Sequence, residues 1–160
     1  MDVVQSSLTS NTCDRQPEVP FLRNMRHIVL VDIDNWKGIF KSDLPFSQRT
    51  FVWGFWSGNT SWDPPKGSAL FQELENHNCF YLHPKCSGSK DAADFALCAQ
   101  AYKLDIMLPK SIPFTVLSGD CGFQELQNQL SRCNREIHLV NPHHKTVDTV
   151  FALCNSIADK

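Results

Sequence analysis

The sequence predicts an α/β three-layer sandwich built on a mainly parallel sheet of about five strands. Short apolar runs rich in β-branched or aromatic residues recur five times, and segments with helical spacing lie between the later ones. The first run, HIVLVDI (27–33), is apolar at consecutive positions, as in a strand covered on both faces. Strands alternating with helices imply right-handed crossovers and parallel pairing.

Residues 1–25 are polar, carry Pro17 and Pro20 and show no periodicity, so they read as a flexible lead-in to a domain spanning 26–160. TFVWGFW (50–56) is the second strand. KGSALFQELENH (66–77) follows Pro64-Pro65, the expected punctuation before a helix, and puts Ala69, Leu70 and Leu74 on one face. CFYLH (79–83) is the third strand. SKDAADFALCAQAYKL (89–104) is nearly uniformly apolar after its first turn, as in a helix buried between other elements. FTVLS (114–118) and EIHLV (136–140) are strands, separated by GFQELQNQLSRC (122–133) with Phe123, Leu126 and Leu130 at i, i+3 and i+7. The helical pattern TVDTVFALCNSIADK (146–160) closes the chain, and there is no internal repeat or low-complexity segment.

At 160 residues the chain suits one domain, and its formal charge of -2 excludes a uniformly basic nucleic-acid binder. No run of about 18 apolar residues is present and the first residues lack a basic, then apolar, leader, so neither membrane insertion nor secretion is expected. Seven cysteines, Cys13 among them, form no CxxC pair and mostly sit in apolar stretches, which indicates reduced thiols and an intracellular compartment. His77, Cys79, His83 and Cys86 are zinc-ligand types, but their spacing matches no common finger and NCFYLH reads as a strand, so no zinc is expected. His143-His144 after Pro142 reads as an exposed turn.

Open α/β sheets bind ligands outside the carboxyl ends of their strands, at the switch point in strand order. Two strands here end in acids: the first runs into Asp32 and Asp34, the fourth into Asp120. Asp94 interrupts the apolar helix between Ala93 and Phe95, where a carboxylate is costly unless paired or on a metal. Each acid also has a local explanation. Asp120 is placed to cap the next helix, Asp91 complements a helix dipole, and Asp34-Asn35 suits an Asx turn. Taken jointly, Asp32, Asp94 and Asp120 at one sheet edge would raise one another's pKa unless a divalent cation neutralised them, and such hard oxygen donors suit Mg²⁺ or Mn²⁺.

In order, VLVDIDN, TFVWGFWSGN, SGSKDAADFALCAQAYKLD and FTVLSGDCGFQELQNQL resemble the four signature segments of PIN-like nuclease domains, over residues 27–140. The resemblance implies the fold and metal-dependent phosphodiester cleavage. It places the metal-binding, catalytic acids on Asp32, Asp94 and Asp120, with Asp34 where relatives carry a second acid. Asn35 and Ser118 look like the polar residues that orient these acids, and Asp91 is a further polar neighbour. The family's extra Glu has no clear counterpart, with Glu73 and Glu75 as candidates. The resemblance extends to the PIN-like domain of a nuclear, multi-zinc-finger SUMO E3 ligase and transcriptional co-regulator, which implies a nuclear location and protein partners of such a regulator. No SUMO-interaction motif stands out, so SUMO transfer is not credited to these residues.

On this reading one or two Mg²⁺ or Mn²⁺ ions activate water for hydrolysis of single-stranded nucleic acid, RNA above all. Lys37, Lys41 and Lys90 adjoin the acidic segments and could hold phosphates. Trp36, Trp56 and Trp62 could stack bases, with packing the equal alternative for Trp36 and Trp62, whereas Trp53 and Phe55 read as core. Two rival readings are a degenerate PIN-like module that binds nucleic acid or protein without cutting, and a dimerisation or scaffold module using the last helix.

Overall fold

The computed structural model describes residues 15–41, 46–47, 49–57 and 62–159. Cys13, most of the lead-in and the small-residue loop after the second strand lie outside the described residues. Five parallel strands, β1 (His27–Asp32), β2 (Thr50–Phe55), β3 (Phe80–Leu82), β4 (Phe114–Leu117) and β5 (Ile137–Val140), form one sheet in the order β3-β2-β1-β4-β5. Every residue of β1 and β2 is buried, as consecutive apolar positions require of central strands covered on both faces. The helices are α1 (Val19–Leu22), α2 (Ala69–Asn76), α3 (Ala92–Met107), α4 (Gln124–Arg132) and α5 (Val147–Ala158).

Strand alternation divides the core. Ile28, Leu30, Trp53 and Val116 pack with Leu97, Ala101 and Leu104 of α3 and Leu126 and Leu130 of α4. Val29, Val31 and Val52 pack with Leu70, Phe71 and Leu74 of α2 and Val150, Phe151 and Cys154 of α5. This is the expected three-layer sandwich. One face of the last helix, Val150, Phe151, Cys154 and Ala158, is buried in the core, while Leu153 stays 40% exposed. The folded part begins ahead of residue 26, because Leu22 and Met25 are buried against the α3 side of the sheet.

Helix ends follow local chemistry. Ser68 caps α2 and Thr146 caps α5 through hydroxyls that accept N–H bonds from the first turn. Asn78 and Asn134 take left-handed φ values of 57° and 67°, and paired backbone bonds beside them close α2 and α4 in Schellman fashion. The carboxyl end of α3 is held differently. Buried Arg135 uses all five N–H donors: Nε on Asp105 Oδ1 at 2.8 Å, and the others on the carbonyls of Asp105, Leu108, Pro109 and Ile112. Its guanidinium lies 4.3 Å from the centre of the Phe114 ring at the start of β4, and Lys110 completes the pairing of Asp105.

Removing one partner of a buried pair strands the other, so Arg135→Met is expected to lose about 3–5 kcal/mol of stability. Urea denaturation measures this; a loss below about 1 kcal/mol would mean water replaces the guanidinium at those carbonyls.

Candidate acidic site

The order β3-β2-β1-β4-β5 puts the switch point between β1 and β4, because the chain leaves β1 toward β2 and later returns to β1's other side. Asp32 ends β1 and Asp120 follows β4, so parallel pairing brings both acids to the same carboxyl edge. Within β1, Asp32 shares its face with Ile28 and Leu30, the face that α3 covers. Asp94 lies in the first turn of α3, which begins at that edge. Asp32, Asp34, Asn35, Ser57, Ser89, Asp91, Asp94 and Asp120 together line a cleft of about 210 Å³.

The Ser118 hydroxyl donates to Asp32 Oδ2 at 2.9 Å and accepts from the Asp120 amide at 3.0 Å. The Asn35 amide lies 3.4 Å from Asp32 Oδ1. Asp34 accepts from the Ser57 amide at 3.1 Å, which ties the end of β1 to the end of β2. Asp120 accepts from the Gly122 amide at 2.8 Å and so caps the short 3-10 turn Cys121–Phe123 while facing Asp94. The local and the functional readings of Asp120 are thus geometrically compatible. Asp91 is the residue ahead of α3 and has a left-handed φ of 64°, but its side chain makes no capping bond. It lines the cleft instead, in a conformation that Asp tolerates better than most residues.

These placements move Asp32, Asp94 and Asp120 off their usual values. Burial, the hydrogen bond shared with Asp120 and the charges of Asp32, Asp120 and Asp91 push Asp94 up to about 7. Asp120 is lowered by the Gly122 amide and by Asp94, so Asp94 keeps the proton that Asp120 gives up. Burial raises Asp32 despite the opposing bond from Ser118.

The nucleic-acid contacts expected from sequence fare differently from the acids. Trp36 is buried among Val29, Ile39 and Phe71, because the chain turns back after β1 into the 3-10 turn Gly38–Lys41; no ring face is left for a base. Trp62 is half-buried, stacked on Phe40 and edge-on to Trp56. Lys37, Lys41 and Lys90 are exposed but line no part of the cleft. His143, expected as a bare turn, reaches the site: its Nε2 lies 2.7 Å from Asn35 Oδ1, which also accepts from the Gly119 amide at 2.7 Å. Because the amide can only donate, that Asn35 atom is the oxygen, and Nε2 of His143 carries the proton. A side chain at Gly119 would collide with the His143 ring. The signal in sequence was Asn141-Pro142 after β5, where Asn141 caps the turn that delivers His143.

A family model described as PIN like domain matches residues 24–140. The chain is 53% identical to the mouse (Mus musculus) E3 SUMO-protein ligase ZNF451 and 52% identical to its human (Homo sapiens) counterpart, each over 145 residues. Those alignments take in 89% of this chain but only 14% of either relative. No solved structure shows a significant match.

A raised carboxyl pKa favours the protonated folded form. The contribution of Asp94 is therefore complete below the ordinary carboxylate range near 3.8 and lost as pH rises through about 7. Asp94→Asn, which cannot ionise, is expected to gain stability relative to the parent as pH rises from about 4 to 8 in chelator, with no further change above. Urea midpoints across that range check the sign; parallel curves would show that Asp94 titrates normally.

Proposed function

The chain belongs to the PIN-like domain family, and we propose that its acidic cleft is the site of a Mg²⁺- or Mn²⁺-dependent endonuclease acting on single-stranded RNA or DNA. One observation carries the proposal: five carboxylates from three separate segments line one cleft at the switch point of the sheet. The donor set fits a hard cation, since among the described residues every charged group lining the cleft is a carboxylate, and burial, the bond with Asp120 and the neighbouring charges together raise Asp94. Among the described residues, no three His, Cys, Asp or Glu side chains are grouped tightly enough to hold an ion by themselves.

When bound, such an ion supplies a water of lowered pKa and stabilises charge on the leaving oxygen. The chain's own residues do the positioning. Ser118 holds Asp32 and the backbone of Asp120 in register, Gly122 fixes one oxygen of Asp120, and Ser57 fixes Asp34. Asn35 is held from both sides, by Gly119 and His143. Asp94 contributes a carboxyl group that changes protonation near neutral pH, and a nearby cation would favour its charged form.

A second reading has its own support. Among the described residues no Lys or Arg lines the cleft, which favours a non-cutting nucleic-acid or protein-binding module as the alternative. We also propose that the domain serves within a SUMO ligase of the kind its relatives' name describes, that this protein is a nuclear zinc-finger protein, and that SUMO transfer belongs to other parts of it.

Incubation of labelled single-stranded RNA and DNA with Mg²⁺ or Mn²⁺ should give metal-dependent cleavage that Asp94→Asn abolishes. Ser118→Ala should lower activity or metal affinity about 10–100-fold, the usual effect of losing a residue that orients a ligand. Strand binding without cleavage under either metal would select the second reading.

A further inference from the structure

We propose that single-stranded nucleic acid reaches the acidic cleft along the outer face of α3, with the ring of Phe95 as the base-stacking platform. This deepens the proposed function, because it names how the substrate of that same site is held. Phe95 follows Asp94 in the first turn of α3 yet is 74% exposed, in a helix whose other face is core. Tyr102 is 39% exposed and Ile106 83%. At 100° per residue, positions 95, 102 and 106 fall within about 20° of one line along the helix, which extends the stripe roughly 16 Å from the cleft.

The occupant follows from what surrounds the stripe. The cleft itself is lined by acids and, among the described residues, offers a phosphate no positive group. The exposed cations nearest in sequence are Lys90, just ahead of α3, and Lys103, beside Tyr102. Aromatic rings at the two stripe positions nearer the cleft, with exposed lysines close by in sequence, are the kinds of group by which proteins hold unpaired strands without reading sequence. Phe95 is also the one exposed ring adjacent in sequence to a cleft carboxylate, so a base resting on it would deliver the neighbouring phosphodiester to the acids. A protein surface docking on the same stripe would instead be expected to draw chiefly on Ile106, its most exposed member.

The test is fluorescence anisotropy of the full chain with fluorescein-labelled oligouridylate and oligothymidylate, in chelator and in Mg²⁺, with strand integrity checked on gels. Phe95→Ala and Phe95→Leu should each weaken binding about 5- to 150-fold, whereas Phe95→Trp should bind as tightly as the parent or more tightly. Equal loss in the Trp variant, unchanged binding in the Ala and Leu variants, or no binding by the parent would overturn the proposal. So would self-association abolished by Ile106→Ser in a chain that ignores oligonucleotides. Anisotropy does not depend on cleavage. Phe95-dependent binding by a chain that fails to cut would sink the nuclease reading alone, and cleavage indifferent to Phe95 would sink the stacking platform alone.

Discussion

The Ser118 hydroxyl is where the sheet becomes a site. It donates to the carboxylate that ends β1 and accepts from the amide of the acid that follows β4. A hydroxyl can do both at once, and no apolar or purely accepting side chain could replace it. The two bonds lock the ends of adjacent parallel strands at the point where the chain reverses its direction across the sheet. Everything else in the cleft is arranged around that link: the turn after β4 caps itself with Asp120, α3 brings Asp94 to the same edge, and β2 lends a backbone amide to Asp34.

Bringing acids together has an electrostatic cost that the protein meets unevenly. Asp120 and Asp32 accept local hydrogen bonds, while burial, the bond with Asp120 and the neighbouring charges make Asp94 hold its proton toward neutral pH. A group poised this way responds to the arrival of a cation or a phosphate, whereas a saturated salt bridge would not. The contrast with Asp105, on the same helix, is instructive. Asp105 is also buried, but Arg135 and Lys110 neutralise it fully, and it serves only to fasten the helix.

Much of the fold was legible because the pattern was redundant. Five apolar runs gave five strands within a residue or two, and the four longer helices appeared where the spacing placed them. The acids were legible through topology: an acid at a strand end in an α/β sheet has few places to point. The loop contacts were not. Trp36 follows the acids in sequence as closely as any nucleic-acid ligand would, yet the 3-10 turn after it folds the indole into the core, and nothing in the residue types distinguishes that outcome from an exposed ring. His143 was missed for the converse reason. Its partner Asn35 lies 108 residues away, so the contact exists only once β5 has joined the sheet beside β4. Arg135 and Asp105 were passed over because isolated charges flanking apolar segments usually mark solvent, not a buried pair.

The two ends of α3 show how these features combine. Its carboxyl end is closed by a guanidinium with every donor used, and that guanidinium lies against Phe114, where β4 begins. Its amino end starts from Asp91 in a left-handed conformation without a side-chain cap, and there the helix carries Asp94 and the exposed Phe95. Helices usually reinforce both termini, and an uncapped first turn forgoes about 1 kcal/mol. Leaving that turn uncapped keeps the Asp91 and Asp94 oxygens unspent on helix amides and directed at the cleft. The anchored end then sets where the free end can be, since a helix of 16 residues fixed at one terminus by five hydrogen bonds cannot drift far at the other.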